Sequence, residues 1–240
     1  MSFVERGDAR LHYDVEGEGF PVFTLAPGGP RSANDVWQRI PWNPRERLRD
    51  EYQVIGMDQR NAGASRAPIA ASDGWHTYLA DQLAVLDHLG VEQCHLLGMC
   101  IGGPFIFGLL AAAPGRFRSA VLLQPVGLDG NREVFHDLFD GWAREVRGAH
   151  PEADDATFAS FRANLWDGPD FAITASREQV AACATPLLVM MGDDQYHPQS
   201  VSREIARLAP NATLVERWKS DDVLAATDAT IRAFLARRTP

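Results

Sequence analysis

Short apolar runs alternate with longer amphipathic stretches along most of the chain. Apolar runs of about four to eight residues are typical of buried strands, and longer stretches with apolar positions every three to four residues are typical of helices. The predicted strands are residues 3–6, 10–15, 22–26, 52–57, 94–97, 119–123, 186–191 and 213–217. The predicted helices are residues 33–49, interrupted at Pro41 and Pro44, and residues 75–89, 101–113, 200–208 and 223–237. This alternation predicts a mostly parallel α/β sheet with helices on both faces.

Residues 127–183 interrupt the alternation, because they contain no clear strand. Six aromatic residues are spread along this stretch, namely Phe135, Phe139, Trp142, Phe158, Phe161 and Trp166. A long segment between two strands of a compact domain is typically an added element with its own structure. We therefore predict a helical insertion at 127–183 in a core formed by residues 1–126 and 184–240, all within one large α/β domain.

The strongest chemical signal is the segment from Gly98 to Gly103, which reads G-M-C-I-G-G. It follows a predicted buried strand and precedes a predicted helix. A strand that turns sharply into a helix needs small flanking residues, and the turn leaves the side chain at its apex exposed. The apex here is Cys100, at a helix N-terminus that favours a thiolate and a developing oxyanion. The alternative interpretation is a structural cysteine in a glycine-rich turn.

Four segments together resemble the α/β-hydrolase fold superfamily, and the resemblance covers nearly the whole chain. Residues 27–30, P-G-G-P, resemble the H-G-G-P oxyanion loop of the proline-iminopeptidase-like branch, with proline in place of histidine. Residues 58–65, D-Q-R-N-A-G-A-S, resemble the superfamily's D-x-R-G-x-G-x-S turn. The elbow at 98–103 is similar to the cysteine elbows of dienelactone hydrolases and polyhydroxyalkanoate synthases. Residues 194–198 resemble the loop that holds the triad acid. The insertion at 127–183 falls where the superfamily has its cap.

The resemblance implies a role for each of these segments. Cys100 is the expected nucleophile and Asp194 the expected acid, and the backbone N–H of Ile101 is one expected oxyanion donor. The second donor has to come from residues 27–30, where the two prolines have no N–H and only the two glycines remain. The alignment with H-G-G-P favours Gly29.

Arg31 lies beside the oxyanion loop. An arginine at this point is a candidate for binding a carboxylate of the substrate, because its guanidinium can donate two parallel hydrogen bonds to a carboxylate.

The superfamily's histidine is missing from its usual place after the last strand. The chain there reads W-K-S-D-D, and no histidine follows His197. His197 shares a loop with Asp194 and is a candidate base, while Asp221, Asp222 or no base at all are the alternatives. A cysteine tolerates this loss better than a serine, because a thiol with a pKa near 8.5 is already partly ionised at neutral pH.

Three classes of function stay open. The leading one is a cofactor-independent hydrolase or acyl-transfer enzyme that acts on an ester, thioester or lactone through Cys100. The second is a lyase or decarboxylase that uses the oxyanion hole to stabilise an enolate or carbanion, with Asp222 or His197 moving the proton. The third is a ligand-binding member without catalytic activity.

The composition of the chain argues against several classes of partner. The formal net charge is −9, and the absence of a basic run argues against nucleic acid. The three cysteines lack the spacing of metal ligands. No apolar stretch approaches the roughly 20 residues of a membrane span, and the first residues show no apolar signal core. We expect a small-molecule substrate, no metal or cofactor, no membrane and a cytoplasmic protein with reduced thiols. A homodimer stays open.

Overall fold

An eight-stranded sheet runs through the protein, which a computed structural model describes over residues 2–240. The strands are β1 (Ser2–Arg6), β2 (Ala9–Glu16), β3 (Pro21–Leu25), β4 (Gln53–Met57), β5 (Cys94–Met99), β6 (Phe117–Leu123), β7 (Leu187–Met190) and β8 (Ala212–Val215). Their order in the sheet is β1-β2-β4-β3-β5-β6-β7-β8. The pairs β1–β2 and β2–β4 are antiparallel, and the other neighbours are parallel. The predicted fold class is confirmed.

Helices cover both faces of this sheet. They are α1 (Pro44–Leu48), α2 (Trp75–His88), α3 (Gly102–Ala112), α4 (Arg132–Val146), α5 (Asp155–Trp166), α6 (Arg177–Ala181), α7 (Gln199–Leu208) and α8 (Leu224–Ala236). Short 3-10 turns lie at Gly29–Arg31, Asn34–Arg39 and Arg147–Ala149.

The central strands are buried on both faces, which explains their almost continuous apolar sequences. Successive side chains of a strand point to opposite faces. In β7, Leu187 and Val189 belong to the apolar cluster that includes residues of α2, α3 and α4. Leu188 and Met190 belong to a second cluster, which includes Trp37 and residues of α8. Each face of the sheet therefore has its own core.

The interruption predicted within residues 33–49 is confirmed, but the first part is a 3-10 turn and not an α-helix. This segment forms the 3-10 turn Asn34–Arg39 and then the short helix α1. Pro44 cannot continue a helix from its N-terminal side, because it has no N–H, but it suits the first position of a new one. The Asn43 side chain caps this new helix by accepting a hydrogen bond from the N–H of Arg45 at 3.1 Å.

Residues 127–183, all of them described, contain α4, α5 and α6 and no strand. Aromatic side chains join α4 to α5. The rings of Phe135 and Trp166 stack at 4.8 Å, and the rings of Phe139 and Phe161 meet edge to face at 5.2 Å. Such pairs add to the stability gained by burial. The role of this segment as a cap insertion stays a prediction.

The parallel strands β3, β5 and β7 point in the same direction, so their carboxyl ends lie along one edge of the sheet. Ligands of open α/β sheets bind at this edge. The loops that carry Gly29, Cys100 and Asp194 follow these three strands. The topology therefore gathers the three segments that the sequence analysis singled out.

Three glycines allow α3 to pack directly against the strands at the turn after β5. A Cβ on Gly98 would lie 2.9 Å from the backbone of Gly102, and a Cβ on Gly102 would lie 2.9 Å from the carbonyl oxygen of Leu25. A Cβ on Gly103 would lie 2.7 Å from the Pro125 side chain. Backbone atoms cannot give way as a flexible side chain can, so these positions require glycine.

Glycine substitutions in α3 test this packing. We expect Gly102→Ala to lower the free energy of unfolding by about 1–3 kcal/mol, because it overpacks a site closed by backbone. Gly108→Ala is the matched control in the same helix, since a Cβ there would meet nothing within 4 Å. Alanine at this position should raise the free energy of unfolding by up to about 1 kcal/mol. Urea unfolding measures both variants, and equal stabilities would contradict the close packing.

Candidate active site

Cys100 occupies the apex of a sharp turn between β5 and α3. Its φ is +59°, in the left-handed region that costs a residue other than glycine about 1–3 kcal/mol. Backbone hydrogen bonds hold this conformation. The Cys100 N–H donates to the carbonyl of Leu123 at 3.0 Å, and the Cys100 carbonyl accepts from Gly103 at 3.0 Å and Val126 at 3.2 Å. The side chain is partly exposed. The geometry is that of an elbow that presents a thiol.

Two backbone N–H groups near this turn have no acceptor within residues 2–240. They belong to Ile101, which follows the apex, and to Gly29, at the start of the 3-10 turn after β3. Gly29 has a φ of +60°, which favours glycine. Free N–H groups of this kind can stabilise an oxyanion. Both predicted oxyanion donors are thus available in the structure, and their role stays a prediction.

A buried carboxylate holds the chain that follows the Gly29 turn. Asp58 accepts hydrogen bonds from the N–H groups of Asn34 at 2.7 Å and Ala64 at 2.8 Å, and its carboxylate lies 2.9 Å from Nδ1 of His12. A Cβ on Gly63 would lie 2.2 Å from this carboxylate. The motif at 58–65 is therefore a scaffold that supports the candidate oxyanion loop.

Asp194 and His197 form a pair within one loop after β7. Nδ1 of His197 lies 2.7 and 2.8 Å from the two carboxylate oxygens of Asp194. The same carboxylate accepts from the N–H groups of Tyr196 at 2.9 Å and His197 at 3.1 Å. Burial raises the pKa of Asp194, but its hydrogen bond to His197 and the charge of that ring outweigh burial and leave the pKa lowered. A carboxylate in this state can orient an imidazole.

The pKa of His197 depends on Cys100 as well as on Asp194. Burial lowers the pKa of His197, but the hydrogen-bonding and charge effects of Cys100, followed by those of Asp194, outweigh burial and leave the pKa raised. Nε2 of His197 is buried and makes no hydrogen bond of ordinary geometry within residues 2–240. The Cys100 N–H donates to Leu123, and the side chain of the next residue, Gln124, lies 3.5 Å from Nδ1 of His197, so the two segments meet at this edge of the sheet. Nε2 keeps its hydrogen-bonding capacity for a reacting group.

Sequence reasoning missed two residues beside His197. Gln124, buried directly after β6 with a φ of +38°, has its amide nitrogen 3.5 Å from Nδ1 of His197. Its amide oxygen accepts from Nζ of Lys219 at 3.0 Å, and Lys219 also pairs with Asp193. The signal that could have found Gln124 is a polar residue after a buried strand at the carboxyl edge of the sheet. Lys219 thus extends to this edge from the segment after β8, where the resemblance led us to expect a histidine.

The two carboxylates considered as alternative bases are not brought to Cys100. Asp222 binds Arg217 at 2.7 Å and Ser220 at 2.6 Å, and its side chain is 62% exposed. Asp221 is also exposed. Of the three candidate bases, His197 is the one that is buried and whose pKa Cys100 raises, and its role as the base stays a prediction.

Arg31, the predicted substrate-binding residue, has a carboxylate partner of its own. Its Nε and Nη2 donate to the two carboxylate oxygens of Glu145 at 2.8 and 2.7 Å. A substrate carboxylate that bound this fork would have to replace Glu145. The predicted role of Arg31 stays a prediction.

Comparison with known proteins shows the family to which the chain belongs. The model of the alpha/beta hydrolase fold family matches residues 21–183. The chain belongs to the alpha/beta hydrolase fold family. Among solved structures, this hydrolase-fold chain is similar to a meta-cleavage product hydrolase from Pseudomonas fluorescens IP01, with a TM-score of 0.72 and 19% identity over 99% of this chain and 98% of that one. It is also similar to an enol-lactonase from Burkholderia xenovorans LB400, with a TM-score of 0.71 and 20% identity over 98% of this chain and 100% of that one.

Curated relatives match with modest identity. The hydrolase-fold chain is 34% identical over 126 residues to "Putative carbamate hydrolase RutD" of Azorhizobium caulinodans, covering 52% of this chain and 44% of that protein. It is 24% identical over 236 residues to 2-hydroxymuconate semialdehyde hydrolase of Pseudomonas putida, covering 85% of this chain and 81% of that protein. The chain thus spans less than half of the first relative. The predicted superfamily is confirmed, and the likenesses to particular branches stay predictions.

The sequence analysis expected neither a membrane-spanning helix nor a metal site. Among residues 2–240, no helix has both the length and the apolar character needed to cross a bilayer. The same residues contain no group of three or more His, Cys, Asp or Glu side chains arranged to hold a metal ion. The predictions on location, nucleic acid and a homodimer stay predictions.

Thiol reactivity tests the elbow geometry of this hydrolase-fold chain. Burial raises the pKa of Cys94 to about 12, and burial also raises the pKa of Cys183. The thiolate is the reactive form, so both should react slowly. We expect iodoacetamide at neutral pH to label Cys100 first in the folded protein, as peptide mapping would reveal. Cys100→Ala should abolish the fast phase. Faster labelling of Cys94 or Cys183 would contradict the elbow.

The raised pKa of His197 makes stability depend on pH. A raised folded-state pKa adds stability below the unfolded pKa of about 6.5, and this stability is lost as pH rises through the folded-state pKa. The free energy of unfolding of the wild type relative to His197→Gln should therefore be larger at about pH 5.5 than at about pH 8.5. Urea unfolding measures the difference, which should shrink in a Cys100→Ala background. A difference independent of pH would contradict the assigned environment.

Proposed function

We propose that this protein is a cofactor-independent hydrolase or acyl-transfer enzyme that acts on an ester, thioester or lactone, with Cys100 as nucleophile. One observation carries the proposal. The His197 imidazole is bound at Nδ1 by Asp194, its buried Nε2 has no hydrogen-bond partner within residues 2–240, and Cys100 raises the pKa of the ring. An oriented nucleophile, base and acid are the parts that nucleophilic catalysis requires.

The first half of the reaction forms an acyl-enzyme. His197 takes the thiol proton, and the Cys100 sulfur attacks the carbonyl carbon of the substrate. The N–H groups of Ile101 and Gly29 stabilise the negative charge that develops on the carbonyl oxygen. The tetrahedral intermediate collapses, the bond to the leaving group breaks, and the His197 imidazolium gives its proton to the departing alcohol or thiol. The product of this half is a thioester on Cys100.

The second half restores the enzyme. A water molecule gives a proton to His197 as its oxygen attacks the thioester carbonyl. The carbon–sulfur bond then breaks, the carboxylic acid leaves, and the imidazolium returns its proton to the sulfur or remains paired with the thiolate. When an alcohol or amine replaces water in this step, the same chemistry transfers the acyl group instead.

The names of the similar proteins support hydrolysis as the reaction class. They include a carbamate hydrolase, a hydrolase of a semialdehyde and a lactonase. In our proposal the base, His197, lies in the same loop as the acid, Asp194. In the superfamily pattern the base instead follows the last strand. The lyase alternative in which Asp222 moves a proton loses support, because that carboxylate is exposed and pairs with Arg217.

We further propose that residues 127–183 form the cap of the core 1–126 and 184–240. The support is that α4 contacts both loops flanking the thiol. The Asn131 side chain donates to the carbonyl of Gln195 at 2.8 Å, beside the acid–base pair. At the other end of the helix, Glu145 binds Arg31 beside Gly29.

Substitution of each proposed participant tests the assignment. Cys100→Ala should abolish turnover of 4-nitrophenyl esters. His197→Ala should lower kcat by about a hundredfold to ten-thousandfold, because a positioned general base contributes that much. Asp194→Asn should also lower kcat, since the imidazole loses its orienting carboxylate. Steady-state kinetics measures all three, and electrospray mass spectrometry should detect the acyl group on Cys100 after rapid quenching.

Asp222→Ala is the control for the base. This carboxylate is at the surface, and its removal should leave kcat within about twofold of the wild type. A large loss in Asp222→Ala combined with full activity in His197→Ala would overturn His197 as the base. Full activity in Cys100→Ala would overturn covalent catalysis.

A further inference from the structure

Arg31 lies two residues after the candidate oxyanion donor Gly29, in the same 3-10 turn. Such a turn rises about 2 Å per residue, so the two backbone positions are about 4 Å apart along its axis. The Arg31 guanidinium binds a carboxylate through both arms of its fork, with Nε and Nη2 each hydrogen-bonded to one oxygen of Glu145. A residue whose side chain binds a carboxylate therefore leaves the backbone beside the candidate oxyanion donor.

One face of α4 covers this turn. Leu138, Gly141 and Glu145 are spaced i, i+3 and i+7 and therefore lie on the same side of the helix. A Cβ on Gly29 would lie 2.5 Å from the Leu138 side chain, and a Cβ on Gly141 would lie 3.6 Å from Nη2 of Arg31. This face of α4 thus places an apolar side chain over Gly29 and the carboxylate of Glu145 against Arg31. An acyl chain that ends in a carboxylate has the same two features.

The contact with Glu145 is of a kind that a ligand can replace. The side chains of Arg31 and Glu145 are 37% and 61% exposed. Ion pairs exposed to this degree are weak and are screened by salt. The Arg60–Asp81 pair has side-chain exposures of 7% and 0%, and its separation would leave an uncompensated buried charge. Arg31 can therefore exchange its carboxylate, whereas Arg60 cannot.

Glu145 remains a carboxylate at neutral pH. The hydrogen bond from Arg31 lowers the pKa of Glu145. The net charge of the chain is −9, so its overall field repels an anionic substrate and local recognition has to supply the attraction.

We propose that Arg31 recognises a carboxylate on the acyl part of the substrate and that Glu145 takes the place of this carboxylate in the free protein. The inference rests on the proposed function, which it deepens by naming a substrate class. The substrate is a monoester, thioester or lactone derived from a dicarboxylic acid, with an ionised carboxylate a few atoms from the reacting carbonyl. Arg31 then acts as a specificity-determining residue.

A matched pair of substrates measures this preference. Mono(4-nitrophenyl) glutarate carries the carboxylate, and 4-nitrophenyl methyl glutarate has the same leaving group without the charge. We expect kcat/KM to favour the charged ester by about tenfold to hundredfold, as for a charge-assisted bidentate contact. Arg31→Gln should remove this preference, and Arg31→Lys should retain part of it because the charge stays and the fork is lost. Glu145→Gln should increase it, chiefly through a lower KM.

Arg162→Gln is the matched control. Arg162 binds Asp140 at 2.8 Å, and the side chains of this pair are 34% and 42% exposed, so it resembles the Arg31 pair but joins α5 to α4 away from the Gly29 turn. The substrate preference should be unchanged in this variant. A wild type without preference would overturn the inference. So would a preference that survives Arg31→Gln, or one that disappears in Lys219→Gln and not in Arg31→Gln.

Binding to an inactive variant separates this inference from the proposed function. Isothermal titration of glutarate into Cys100→Ala and into Cys100→Ala/Arg31→Gln requires no turnover. Weaker binding in the double variant supports recognition by Arg31 even if the kinetic tests of Cys100 and His197 fail. Equal binding in both variants overturns the inference while leaving the proposed catalysis to its own tests.

Discussion

The close approach of α3 to the strands at Gly98, Gly102 and Gly103 is the constraint on which the candidate site depends. Without side chains at these positions, the backbone can leave β5 and enter the helix within a few residues, with Cys100 forced into the left-handed region. The cost of this conformation is offset by hydrogen bonds to Leu123 and Val126. The same turn leaves the N–H of Ile101 without a partner. Exposure of the thiol and availability of an oxyanion donor are therefore two consequences of one backbone geometry.

The proposed acid and the proposed base share a loop, which changes how the candidate site is built. A base that follows the last strand depends on the register of β8, whereas Asp194 and His197 depend on the exit from β7. Gly192 enables this arrangement, because a Cβ there would lie 2.3 Å from the carbonyl oxygen of His197. The segment after β8 still contributes, since Lys219 binds Gln124 beside the imidazole. In our proposal, the buried Nε2 of His197, which has no partner within residues 2–240, is the atom that exchanges a proton with the thiol.

The features that could be predicted from the sequence are those that depend on residues close together along the chain. Buried parallel strands need apolar runs, so their number and order along the chain were predictable, and the elbow was visible because its glycines are sequence neighbours. The proximity of Asp194 and His197 followed from their separation by three residues. The break at the prolines within residues 33–49 was predictable for the same reason, whereas the 3-10 form of Asn34–Arg39 was not predicted. The contact between Arg31 and Glu145 spans 114 residues and depends on how α4 packs, which no local pattern records.

The contrast between two kinds of ion pair connects the fold to its chemistry. Arg60, Asp73 and Asp81 are buried together and satisfy one another, so this network fixes the turn after β4 and leaves nothing for a ligand. Arg31 follows the neighbouring β3 but lies at the surface, where water competes for both partners. Burial makes the first cluster costly to break, and exposure makes the second exchangeable. Arg60 thus stabilises the fold after β4, while Arg31 at the surface remains able to bind a different anion.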